Sequence, residues 1–349
     1  MNIKEKFLEL TSLTYPHGCE WGLESHLPIG HMSDGWGNFY LEIGHRPSTM
    51  FTCHLDTADH QQKKVNHLIE GNIIKTDGTS ILGADDKAGM TLLLFMIQKK
   101  IPGLYYFFIG EERGCIGSRK TAASWQDTEF SKYITKCISL DRRGTDSVIT
   151  EQFGGRCCSE VFALALADSL NKVEENFSYK PDPTGIYTDS AQFTGIIAEC
   201  TNLSVGYYNE HSHSERQDIR HLEKLALSLC KVEWEALPTP GLANVEPEDY
   251  SGDNSSSIWN QSNFFYRNLG TEIKVFISSV RVEYERGLIM KWLTGQNFLS
   301  DSPGLGWNGN ALYMDKKLGE REYLATRTYL SDMIPELIHI PEEFTKTQW

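Results

Sequence analysis
Gly103-Leu104-Tyr105-Tyr106-Phe107-Phe108-Ile109-Gly110-Glu111-Glu112 decides how this chain is read. The apolar run from Leu104 to Ile109 has the length of a β-strand and falls far short of the roughly 20 residues that span a bilayer. It shows no polar alternation, so both of its faces are predicted to be buried, as in a parallel sheet covered by helices. Two carboxylates stand directly after its carboxyl end.

The flanking sequence repeats this pattern. Upstream, Asp34-Gly35-Trp36-Gly37-Asn38 is a cluster of turn formers that leads into a short strand, Phe39 to Ile43, and Met50 to Cys53 is a second apolar run. Gly71 to Gly78 (GNIIKTDG) reads as a hairpin. Ile81 to Gly83 leads into Asp85-Asp86-Lys87, and an apolar helix is predicted from Ala88 to about Lys99. Its acidic first turn and the lysines at its end suit the helix dipole. Downstream, Cys137 to Leu140 and Leu203 to Tyr207 read as strands, and Val161 to Asn171 and Ile219 to Glu235 as helices. Strands alternating with helices predict an α/β fold, a mixed and mostly parallel sheet sandwiched by helices.

This pattern ends near residue 236, which marks residues 1–236 as a first domain. Residues 237–262 contain Pro238, Pro240 and Pro247 and the polar run Asp253-Asn254-Ser255-Ser256-Ser257, and read as a linker or irregular segment. Residues 263–349 form a C-terminal extension of uncertain α+β structure. It has a strand-like run, Glu272 to Val282, and aromatics including Trp292, Trp307 and Trp349. It is too apolar for disorder and contains no recognisable chemical motif.

Composition narrows the function. The chain has 349 residues, 40% hydrophobic and 23% charged, as in a soluble globular protein. Its net charge of -14 and the lack of a basic patch argue against nucleic acid as a partner. No apolar run predicts a membrane span, and MNIKEKFLELTS at the start lacks the apolar core of a signal peptide. The eight cysteines form no CxxC pair and several lie in apolar segments, so they read as reduced thiols of a cytoplasmic protein. The neighbouring Cys157 and Cys158 read as structural.

Acidic residues and histidines recur after the predicted strands: His54 after Met50 to Cys53, Glu111 and Glu112 after Ile109, Asp141 after Leu140, and His211 shortly after Tyr207, with Asp85 at a helix entry. Functional groups of open α/β sheets gather at the carboxyl ends of strands. His, Asp and Glu are zinc ligands, and one carboxylate can bridge two ions.

His54-Leu55-Asp56-Thr57, Gly83-Ala84-Asp85-Asp86-Lys87-Ala88-Gly89, Gly110-Glu111-Glu112, Leu140-Asp141 and His211-Ser212-His213-Ser214-Glu215 resemble, in order, the motifs of the dizinc exopeptidase superfamily. That group takes in single-domain zinc aminopeptidases, glutamyl aminopeptidase-like enzymes, and tripeptidase and carboxypeptidase relatives. Asp34 to Asn38 also matches its D-x-x-G-N turn, so the resemblance covers about residues 1–235. It implies the zinc exopeptidase (phosphorylase/hydrolase-like) fold and two Zn²⁺ per chain, with Co²⁺ or Mn²⁺ as alternatives. It further implies that Asp85 bridges both ions, that His54 and Asp141 complete one site, and that Glu112 and His211 complete the other. Asp56 orients the His54 imidazole, and Glu111 is the general base. His211 is preferred to His213 because the H-S-x-x-E spacing places Glu215 four residues on. Asp189, in Tyr187-Thr188-Asp189-Ser190, either binds a substrate amine or caps a turn. Arg142 and Arg143 either meet a substrate carboxylate or hold Asp141.

Spacing then separates the branches. Asp141 and His211 are only 70 residues apart, too close for the lid domain of the carboxypeptidase and tripeptidase branch. His54 and Asp85 are only 31 residues apart, so the β domain of the glutamyl aminopeptidase-like enzymes is missing or reduced. An uninterrupted catalytic domain favours an aminopeptidase acting on peptides. Another amide hydrolase with the same centre (an N-acyl amino acid deacylase, dipeptidase or carboxypeptidase) is the alternative, and a non-catalytic scaffold ranks below both. Residues 263–349 are expected to mediate homo-oligomerisation or to gate the substrate.

Overall fold
The computed structural model describes residues 1–152 and 155–241 with their side chains, and beyond them the backbone of four strands. The chain divides into two units, Met1–Glu246 and Pro247–Trp349. In the first unit the strands are β1 (Met32–Ser33), β2 (Phe39–Ile43), β3 (Thr49–His54), β4 (His67–Glu70), β5 (Ile73–Thr76), β6 (Gly103–Phe108), β7 (Lys136–Arg142), β8 (Ser147–Ile149), β9 (Glu151–Gln152), β10 (Gly155–Arg156), β11 (Lys180–Asp182), β12 (Glu199–Ser204), β13 (Tyr207–Tyr208) and β14 (Arg216–Asp218). The helices are α1 (Ile3–Leu10), α2 (Ala84–Gln98), α3 (Ile116–Ala123), α4 (Glu160–Val173) and α5 (Ile219–Leu229).

Eight strands form the main sheet in the order β1-β2-β6-β3-β7-β12-β8-β11. The central run β6-β3-β7-β12 is parallel throughout, while β2 and β8 pair antiparallel on either side of it. Alternation along the strands sorts the core into two layers. Phe51, Cys53, Tyr105, Phe107, Ile138 and Leu140 pack with buried residues of α1, α2, α4 and α5. Met50, Leu104, Tyr106, Phe108 and Cys137 pack on the other side with Ala122, Trp125 and Phe193. The strand read from Leu104 to Ile109 is therefore buried on both faces, at the heart of an α/β fold sandwiched by helices. Helix α2 is buried almost all round because it fills the layer over β3 and β7.

Several boundaries differ from the sequence reading. The helix expected from Ala88 begins in the structure at Ala84, but Asp85 and Asp86 have non-helical backbone angles, so they do not form an acidic first turn. The hairpin joins β4 to β5 around Gly71, which has φ 61°, and so starts before the stretch from Gly71 to Gly78. The strand expected to reach Tyr207 stops at Ser204, because Gly206 at φ 95° turns the chain into a second sheet of order β13-β14-β5-β4. A side chain at Gly206 would collide with Gln217 and His221. Helix α5 ends at Leu229, short of Glu235. There Trp234 donates its indole N–H to the Leu229 carbonyl at 3.0 Å and packs edge-on against Phe51.

Leu237 is buried in the core, and Gly241 N–H donates to Glu199 at 2.8 Å. The linker reading beyond Gly241 and most of residues 263–349, with Trp292 and Trp349, lie outside the described residues. In the second unit Tyr266–Leu269, Glu272–Phe276, Leu305–Asn308 and Ala311–Asp315 form an antiparallel four-stranded sheet. Of the run from Glu272 to Val282, the strand covers Glu272–Phe276. All eight cysteines are free thiols, and Cys53, Cys115, Cys137, Cys157, Cys158 and Cys200 are buried. Among the described residues no helix is long and apolar enough to cross a membrane.

Candidate metal centre
The parallel strands aim the predicted residues at one place. His54 is the last residue of β3 and Asp141 lies near the end of β7. Glu111 and Glu112 follow β6 through Gly110, whose φ of 64° lets the chain turn at once. Asp85 stands at the entry of α2, and His211 in the loop between β13 and β14. The strand order β6-β3-β7 makes neighbours of residues far apart in sequence.

Asp85 is the centre of this arrangement. Its Oδ1 lies 2.9 Å from His54 Nε2, which is 3.7 Å from Asp141 Oδ1. Its Oδ2 lies 3.1 Å from His211 Nε2, which is 3.0 Å from Glu112 Oε1. The two oxygens of one carboxylate thus face two separate groups, His54–Asp85–Asp141 and Asp85–Glu112–His211, each with ligand atoms within 4.8 Å of one another. His54, Glu111 and Glu112 form a further group of the same span. His213 is exposed and belongs to none of these groups.

Other side chains hold these ligands. His54 Nδ1 is 3.1 Å from the Asp56 carbonyl and 3.4 Å from its carboxylate, which leaves Nε2 for the centre. Asp56 also accepts the backbone N–H groups of Glu111 and Glu112, at 3.0 and 3.1 Å. One buried carboxylate therefore ties the β3 loop to the β6 loop. Buried Lys87 donates to the carbonyls of Leu55 and Asp56. Asp141 accepts from Thr188 Oγ1 at 2.6 Å and from Tyr207 Oη at 3.1 Å, and Asn202 bonds both its backbone N–H and its carbonyl. Glu215 is wholly buried and accepts the N–H groups of Leu82, Gly83 and Asp85, at 2.8, 2.7 and 3.0 Å. The Asp34 carboxylate closes the 34–38 turn on Trp36 and Asn38 and accepts from Thr121, and Asn38 receives Ile109 N–H, which steadies the end of β6.

The electrostatics call for positive charge. Burial, and then the charge on Asp85, pushes the Glu112 and Asp141 carboxyls up. Burial pushes Glu111 well above the usual carboxylate range. Burial opposes the charged form of His54, but the carboxylates of Asp141, Asp56 and Asp85 around it outweigh this and raise its pKa. The carboxylates of Asp85 and Glu112 beside it raise His211 to about 11. Without a cation, then, protons must take up the charge of the carboxylates. Glu112 Oε1 is buried and, although 3.0 Å from His211, has no donor aligned on it. An orphaned buried oxygen within a set of imidazoles and carboxylates fits a divalent cation of the zinc type.

The structure brings together all seven residues singled out from the sequence: His54, Asp56, Asp85, Glu111, Glu112, Asp141 and His211. Arg142 and Arg143 turn elsewhere, to Thr184 and to Glu210, so neither holds Asp141. Asp189 is buried, with Oδ1 unpartnered and a hydrogen bond to Ser118. Sequence reasoning missed Thr188, Tyr207 and Asn202. Glu215 entered only through its spacing from His211, and the H-S-x-x-E pattern was the available signal for its role.

Residues 41–234, more than half of the chain, match the profile of peptidase family M28. The uncharacterised protein YqjE of Bacillus subtilis strain 168 is 42% identical over 76 residues, a match that takes in 20% of each chain. The fold is shared with a tripeptidase from Staphylococcus aureus subsp. aureus Mu50 (TM-score 0.53, 17% identity, 66% of this chain and 96% of that one). It is shared also with the aminopeptidase PepT of Bacillus cereus ATCC 10987 (TM-score 0.51, 16% identity, 67% and 97%). An aminopeptidase from the archaeon Desulfurococcus kamchatkensis gives a TM-score of 0.51 at 16% identity, over 68% and 95%. The span of the profile match and the clustered ligand set lead to one conclusion: the chain belongs to peptidase family M28 and is a metallopeptidase.

Proposed function
We propose that this metallopeptidase removes N-terminal residues from peptides at a centre of two Zn²⁺, with Co²⁺ or Mn²⁺ as substitutes. The observation that carries the reading is the division of Asp85, one oxygen toward His54 and Asp141 and the other toward His211 and Glu112. These five residues would hold the ions. Bound there, the ions would supply Lewis acidity to a water molecule and to the scissile carbonyl. Glu111 takes the proton from that water and passes it to the leaving amine. Its burial, which raises its pKa, suits a base that must also act as an acid. Asp56 orients both the His54 ring and the backbone that presents Glu111.

Two features support an aminopeptidase over a carboxypeptidase: the absence of a lid-sized insertion between Asp141 and His211, and the acidic surroundings, which suit a free amine. We read residues 263–349 as an oligomerisation or gating module and place the protein in the cytoplasm. The test is digestion of a defined peptide library with free and blocked ends, read by mass spectrometry, with Glu111→Gln as control. Trimming that needs a free N-terminus supports the proposal. Trimming that needs a free C-terminus, or hydrolysis of N-acyl amino acids alone, replaces it with the carboxypeptidase or deacylase alternative.

A further inference from the structure
A general base must keep its carboxylate aimed at the centre although no ion holds it. Asp56 fixes the Glu111 backbone but not its side chain. Among the described residues, the side-chain donor that reaches the Glu111 carboxylate is the Cys115 thiol, with Sγ 3.6 Å from Oε1.

The placement of Cys115 is unusual. It is wholly buried and has a left-handed backbone at φ 53°, a conformation that disfavours residues with a Cβ. Its N–H donates to the Glu111 carbonyl and its carbonyl accepts from Arg119, so it both closes the Glu111 turn and opens α3. Burial pushes its thiol pKa well up, so the sulfur keeps its hydrogen. Tyr187 hydrogen-bonds with this thiol, and Gln192 Nε2 donates to Tyr187 Oη at 2.9 Å. Gln192 thus bonds to Tyr187, Tyr187 to the thiol, and the thiol donates to Glu111. Between Tyr187 and Gln192 lies Thr188, the donor to Asp141.

We infer that Cys115 is a positioning residue, which, held by Tyr187 and Gln192, orients the Glu111 carboxylate through its S–H group. The inference rests on Glu111 being the general base. It makes the segment from Tyr187 to Gln192 responsible for aiming both the base and the Asp141 ligand.

Two measurements on the full-length chain test it. The infrared S–H stretching band of Cys115 is isolated as the difference between wild type and Cys115→Ala. In Glu111→Gln this band should shift toward the frequency of a weakly bonded thiol, because a neutral amide oxygen accepts more weakly than a carboxylate. A band unmoved by Glu111→Gln overturns the inference. This measurement needs no turnover, so it stands even if peptide trimming fails. The second measurement is steady-state kinetics with the tripeptide that the wild-type enzyme trims fastest, after the metal content of each variant has been matched. Cys115→Ala should lower kcat by about tenfold with KM unchanged, and Cys115→Ser, which keeps a donor, should recover most of it. Full kcat in Cys115→Ala, or a serine variant no better than alanine, assigns the thiol to packing alone and overturns the inference.

Discussion
Glu215→Gln tests how the second metal group is held. The carboxylate is fully buried and takes N–H groups from Leu82 and Gly83 on one oxygen and from Asp85 on the other. It belongs to the loop that bears His211, so it joins that loop to the segment that presents Asp85. An amide in its place can keep the first two bonds but must face the Asp85 N–H with its own N–H₂. Losing one buried bond to a charged acceptor and opposing two donors costs about 2–4 kcal/mol. For a unit of this size each kcal/mol moves Tm by about 2–4 °C, so Tm should fall by about 5–15 °C. Disturbing a group that supports a ligand also weakens metal affinity by about 10–100-fold. Because bound metal stabilises the folded state, the gap between wild type and variant should widen when metal is added. Burial raises Glu215 to about 7, so the melts are best recorded near pH 8, where it is ionised. Circular dichroism melts with and without Zn²⁺, together with a competitive zinc titration, supply the data. An unchanged Tm would refute the bond accounting. A lowered Tm with unchanged zinc affinity would refute the link between Glu215 and the centre.

Other outcomes follow from the same geometry. Glu111→Gln should retain its metal and lose about 10²–10⁴-fold in kcat, checked by metal analysis and peptide turnover. Chelation should abolish activity and lower Tm, with recovery on adding Zn²⁺ or Co²⁺, since the clustered carboxylates repel one another without a cation. His221 is buried against Tyr179, and burial depresses its pKa from 6.5 to about 4. It is neutral when folded and protonates more readily when unfolded, so its stabilising effect is complete above pH 6.5 and is lost as the pH falls toward 4. That loss is about 3 kcal/mol, and denaturant unfolding of His221→Gln should show a flatter dependence over this range. Gly89→Ala would drive a Cβ into the Leu140 carbonyl and the Asp86 carboxylate, so it should destabilise by several kcal/mol (about 2–4) and reduce metal content, measured by melting and metal analysis.

Much of this centre was legible because its signals are local. His54, Glu111 and Asp141 each follow an apolar run, and Asp85 precedes an apolar helix, so residue type and neighbouring pattern were enough to single them out. The unbroken apolar run that buries β6 on both faces was equally plain, and with it the α/β class. Element ends were less legible. Helix α5 stops at Leu229 because Trp234 folds back onto its last carbonyl and onto Phe51, a residue far upstream, and no local propensity encodes that.

The supporting side chains were hidden for a related reason. Thr188 reaches Asp141 across 47 residues, and Glu215 reaches Leu82 across 133. A threonine, a cysteine or a glutamate takes its meaning from its partner, and partners are chosen by the order of strands in the sheet. Sequence alone singled out the residues that meet at this centre, because residue type, motif order and strand and helix pattern are written in nearest neighbours. Only the tertiary structure decided that Asp85 turns one oxygen to each group, and which buried donors hold the ligands, because those contacts exist only once β6, β3 and β7 lie side by side.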